Sequence, residues 1–96
     1  MTNINTTLKH RQQTYGDYAD TAKVAQEIKA VIYANAGELN AKQQEALEMI
    51  ATKMARILTG NPHYEDNWRD IAGYAQLGGD LWTPENIEDL KIGLSG

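Results

Sequence analysis

Two pairs of carboxylates stand at helical spacing in this chain. Glu45 and Glu48 are three residues apart in "KQQEALEM", and Asp66 and Asp70 are four apart in "YEDNWRDIAG". On a helix, such spacings put side chains on one face, where like charges repel. Either a solvated face tolerates each pair or something positive sits against it. If Glu45, Glu48, Asp66 and Asp70 faced one another from adjacent helices, they would offer the oxygen ligands that Mg²⁺ takes. A metal so held could activate water for attack on a phosphoanhydride. The plainer alternative is that Lys53 and Arg56, one turn apart, pair with Asp66 or Asp70.

A second set of residues suits an anionic, base-bearing ligand. Lys9, His10 and Arg11 precede Tyr15 and Tyr18, and Lys53 and Arg56 project from one helix. Arginine offers a planar fork to phosphate and lysine a point charge. Tyr15, Tyr64, Trp68 or Tyr74 could stack on a base. Trp68 shares a stripe with Ile71 and Ala75 and reads as core, so Tyr74 is the better ligand candidate. The candidate binding set is Arg11, Tyr15, Lys53, Arg56, Asp66, Asp70 and Tyr74. Of these, Lys53, Arg56, Asp66, Asp70 and Tyr74 are expected to line one pocket, within a chain or between chains. His10 and His63 have no partner at metal-ligand spacing, and no P-loop or G-x-G-x-x-G is present.

Helices must position these groups. Apolar spacing predicts one from about Tyr18 to Asn35, carrying Val24, Ile28, Val31 and Ile32, after "TYGD", in which Gly16 permits a left-handed residue and Asp17 caps. A second runs from about Ala41 to Thr59, with Asn40 and Gln43 forming a capping box and Gly60 and Pro62 stopping it. A third spans about 65–77, with Asp66, Asp70, Gly73 and Leu77 on the face opposite Trp68, and "LGGD" ends it. A short helix or turn is expected over 6–14 and a short helix over 84–93, the latter with Thr83 as cap and Pro84 at its first position. No segment alternates as a half-buried strand does. The expectation is a single all-α domain over 1–96: a small bundle of three main helices plus short terminal ones.

Composition narrows the function classes. Ninety-six residues make one thin-cored domain. A small core without staples recruits a second subunit readily, so a homo-oligomer is expected. The absence of cysteine excludes disulfides and thiolate metal sites. A net charge of −4 argues against duplex nucleic acid as partner. No apolar run reaches a membrane span, and "MTNINTTLKHRQQ" lacks the apolar core of a signal peptide, so the expected location is the cytoplasm.

The segments "RQQTYGDYADTAKVAQEIK", "LNAKQQEALEMIATKMARILTGNPHYEDNW" and "RDIAGYAQL" resemble a family of small phage and prophage proteins of unknown function, over about residues 8–78. That family is in turn distantly similar to all-α nucleotide pyrophosphatases of the MazG type. Those carry E-x-x-E on one helix and E-x-x-D on another, binding Mg²⁺ beside a triphosphate. Glu45 and Glu48 match the first motif; in the second, Asn67 stands where a glutamate is expected before Asp70. The resemblance therefore implies weakened Mg²⁺ binding with retained capacity for phosphate and base. It implies a non-catalytic phage protein, without cofactor, that sequesters a nucleotide-derived signal of bacterial immunity in the cytoplasm of the infected host. Two alternatives stand beside it: an Mg²⁺-dependent nucleoside triphosphate pyrophosphohydrolase using Glu45, Glu48, Asp66 and Asp70 as ligands, and an inhibitor of a host protein.

Overall fold

The computed structural model describes residues 8, 9 and 16–81. They form helices α1 (Tyr18–Ala34), α2 (Ala41–Thr59) and α3 (Glu65–Gly79), with no strand among them. Of the opening helix or turn expected over 6–14, Leu8 and Lys9 are described, and both are helical. The helix expected over 84–93 lies outside the described residues.

The caps set the helix starts. Gly16 adopts φ +87°, and the Asp17 carboxylate accepts from Ala19 N–H at 3.0 Å to begin α1. At α2, Asn40 Oδ1 accepts from Gln43 N–H at 2.8 Å while Gln43 Oε1 accepts from Asn40 N–H at 3.1 Å, so two otherwise orphaned donors are satisfied reciprocally. α3 passes through Gly78 and Gly79 and stops at Asp80, which takes the left-handed conformation at φ 52°. Lys42 from the start of α2 pairs with the Asp80 carboxylate at 2.5 Å and holds that end in place.

α2 is the middle of the molecule. α1 packs on one flank and α3 on the other, and α1 and α3 do not touch among the described residues. The three main helices thus form an open layer rather than a closed bundle. The apolar side chains buried in it are all alanines: Ala25, Ala46, Ala51 and Ala55. Gly78 has the same role from α3, since a Cβ there would lie 2.7 Å from the Ala46 Cβ. Small residues let helix axes approach closely, but they bury little area.

A layer has two faces. The flank of α2 toward α1 is marked by Glu48 and Thr59, which bond Tyr33 and Thr21, and the flank toward α3 by Lys53, which pairs with Asp70, and by Ala46. At about 100° per residue, Glu45 and Arg56 fall between those flanks on one face, and Leu47, Met54 and Leu58 on the other. The first face also carries Lys29, Tyr33 and Asp70. The second carries Val24, Val31, Trp68 and Ala75.

Trp68 corrects the expected core of α3. It is 54 % exposed, its indole N–H donating to Pro62 O at 2.8 Å. The helix turns Asn67, Ile71, Tyr74 and Gly78 toward α2 instead, with Asn67 and Gly78 buried. The close contact of Gly78 with Ala46 sets that rotation, and a large indole at the seam would hold the helices apart.

Candidate functional site

The seam between α1 and α2 is pinned at both ends and open in between. At one end, Gly16 sits so close to the Thr59 backbone that no side chain fits there. Thr21 Oγ1 and Thr59 Oγ1 share a hydrogen bond of 2.7 Å beside it, each within reach of a carbonyl of its own helix, Asp17 O and Ala55 O. At the other end, the Tyr33 hydroxyl donates to Glu48 Oε1 at 2.8 Å. That hydrogen bond, then desolvation, then the charges of Glu48 and Glu45 hold the Tyr33 hydroxyl above the usual tyrosine pKa.

Between the pins lies a cleft of about 500 Å³. α1 lines it with Tyr18, Ala22, Ala25, Gln26 and Lys29, α2 with Thr52 and Arg56, and Leu8, Gly16 and Asp17 close one end. Lys29 and Arg56 come from different helices and are both half-buried. The lining brings together two cations, threonine hydroxyls, the Gln26 amide and, at one end, the Asp17 carboxylate. Tyr18, 74 % exposed, stands among the lining residues. The volume falls in the range of small-molecule sites, about 300–1,000 Å³.

Of the residues expected to share one pocket, Arg56 lines this cleft and the others do not. Lys53 Nζ lies 2.9 Å from Asp70 Oδ2, with the lysine side chain 12 % exposed and the aspartate 47 %. Asp66 accepts from the Tyr64 hydroxyl at 3.1 Å and stands in the first turn of α3, where the helix dipole favours a negative charge. The two aspartates one turn apart are thus accounted for within the chain. Tyr74 lines a second hollow of about 290 Å³ between α2 and α3, with Leu39, Gln43, Ala46, Leu47 and Ile50 among its walls. The single chain therefore does not gather Lys53, Arg56, Asp66, Asp70 and Tyr74 around one space. The physical reason is the breadth of α2, which sends Arg56 over the α1 seam and Lys53 over the α3 seam. Arg11 and Tyr15 lie outside the described residues.

The carboxylates separate in the same way. Glu48 is engaged on the α1 flank and Asp70 on the α3 flank. Among the described residues, no three His, Cys, Asp or Glu side chains come together in an arrangement that could hold a metal ion. Asn67, where an E-x-x-D motif would have its glutamate, is 1 % exposed, and its Nδ2 finds no acceptor among the described residues. A neutral amide can be buried between two helices; a carboxylate there would have to be desolvated with no cation shown against it.

Sequence reasoning missed Lys29, Gln26 and Thr52 as wall residues and named Tyr18 beside the basic cluster without placing it in the binding set. A signal was present: Tyr18, Ala22, Ala25 and Lys29 follow one helical row, and so do Thr52 and Arg56. Reading α1 for its β-branched stripe hid the row beside it.

Residues 2–82 match a domain of unknown function, DUF6378. The chain belongs to that family. No curated protein and no solved structure matches it. The DUF6378 span takes in all three helices, both seams and the cleft, and it is wider than the 8–78 over which the resemblance was expected. No helix among the described residues is long and apolar enough to cross a membrane.

Proposed function

We propose that this DUF6378 chain binds a small nucleotide-derived anion in the α1–α2 cleft and sequesters it without chemical change. The observation that carries the reading is the cleft of about 500 Å³, with Lys29 and Arg56 on opposing helices and Tyr18 among its lining residues. Two cations on separate helices suit a phosphate-bearing ligand that spans the seam, and a tyrosine in the lining suits a base. Arg11 and Tyr15 extend the candidate set by sequence, lying between Leu8 and Gly16, which both line the cleft. Phage origin, and action on an immune signal in the cytoplasm of an infected host, belong to the same proposal. They are supported by the sequence resemblance alone.

Sequestration is favoured over pyrophosphate release because Glu48 is taken up by Tyr33 and Asp70 by Lys53, on different flanks of α2. Binding should then need no Mg²⁺. Calorimetry against cyclic nucleotides and ADP-ribose derivatives tests this. The expected result is binding of at least one of them, unchanged by EDTA and weakened tenfold or more in Arg56→Ala and Lys29→Ala. No binding across the panel would end the proposal. Mg²⁺-dependent release of pyrophosphate, abolished in Glu48→Ala, would replace it with the hydrolase.

A further inference from the structure

The face of the layer opposite the charged one is apolar and bare. Val31 is 64 % exposed, Leu47 39 %, Met54 41 %, Leu58 67 % and Trp68 54 %. Taking about 150–250 Å² for a large side chain, these leave on the order of 500 Å² of apolar surface in water. A standard interface buries about 800 Å² on each partner, so the patch is of the size of an interface core. We propose that a second copy of this chain covers this face, related by a two-fold axis that crosses α2 near Ala51. The proposal is independent of any ligand in the α1–α2 cleft.

Two observations select a second copy. The first is the core. Among the described residues the buried apolar side chains are all alanines, and so thin a core gains apolar burial by pairing with a second subunit. The second is the shape of the face along α2. Its N-terminal half holds the hollow of about 290 Å³ with Leu39, Gln43, Ala46, Leu47 and Ile50 in its walls, while its C-terminal half presents Met54 and Leu58 outward. An isologous contact sets each such half against the other half of the partner. At a rise of about 1.5 Å per residue, Leu58 lies roughly 10 Å from Ala51 on one side and Gln43 roughly 12 Å on the other. A two-fold axis at Ala51 therefore brings Leu58 of one copy over the hollow of its partner.

The test is the mass of the full-length protein in solution at micromolar concentration, by sedimentation or light scattering. The wild type should have twice the chain mass. Leu58→Glu should be monomeric with its helical circular dichroism kept, and Leu77→Glu, on the charged face, should stay dimeric. The chain has no cysteine, so Gln43→Cys combined with Leu58→Cys is a clean second probe. Within one helix these positions are roughly 22 Å apart, far beyond disulfide reach. Oxidation should thus yield a covalent dimer, and this readout stands even if Leu58→Glu fails to fold. A folded wild-type monomer would overturn the proposal and leave the face bare or covered by residues 82–96. Dissociation by Leu77→Glu but not Leu58→Glu would overturn it too, as would a cysteine pair giving no covalent dimer.

Discussion

The two seams of α2 are built from similar residues and come out differently. Toward α3, Gly78 lies against Ala46 and Asn67 is fully buried, so the helices meet closely and the partly covered Lys53–Asp70 pair sits beside the contact. Toward α1, Gly16 lies against the Thr59 backbone and Ala25 is buried, but beside that contact Lys29 and Arg56 line an open cleft. One seam is a joint and the other a cleft. Whether two helices make a joint or a binding space depends here on which side chains occupy the row next to the contact, more than on how apolar the contact is.

The contrast can be broken most forcefully at Asn67. Asn67→Glu would create an E-x-x-D spacing with Asp70, yet it puts a charge at a site that is 1 % exposed. The expected loss is about 3–5 kcal/mol, the cost of an uncompensated buried charge. Urea denaturation should show the loss, and no pyrophosphohydrolase activity should appear. Next is the pin of the open seam. Gly16→Ala forces a side chain into φ +87° and against the Thr59 backbone, for about 2–3 kcal/mol. Hydrogen exchange should quicken in α1 while α3 keeps its protection, and the reverse pattern would mean that the seams are not separable.

Gly78→Ala is the matched change on the closed seam. Overpacking against Ala46 costs about 1–3 kcal/mol, and the helix gains back up to about 1 kcal/mol from replacing glycine. The net loss should be about 1 kcal/mol, read as a lower denaturation midpoint. A stabilised protein would show that the α2–α3 approach can relax. The smallest effect is at Tyr33. Its raised pKa means that the fold prefers the neutral phenol. That contribution is present below the unfolded tyrosine value of about 10 and is lost as pH rises through the higher folded value. Tyrosinate absorbance should show a late-titrating component that moves earlier in Glu48→Gln.

How much of this was legible in the residues differs between elements and contacts. Asp17, Asn40 with Gln43, and Gly60 mark the helix ends because capping acts between neighbours in sequence, and the observed bounds of α2 are the expected ones. Lys53 with Asp70 was open as an ion pair, since a short loop makes their helices adjacent. The buried face of α3 was not legible, because its central seam residue is an asparagine and its most hydrophobic-looking one, Trp68, lies outside. The cleft was not legible either, since Lys29 and Arg56 are far apart in the chain.

Composition and local order alone determine that the described chain is helical, where each helix begins, and that its charged residues include groups suited to an anion. Only the tertiary structure decided which side of each helix turns inward. It also decided that α1 and α3 stay apart among the described residues, and that Arg56 and Lys29 line one cleft while Lys53 pairs with Asp70 across the other seam. The reason is that caps and periodicity are short-range. The rotation of a helix about its axis is set by how closely two surfaces can approach, and glycines and alanines control that without leaving a strong hydrophobic signal.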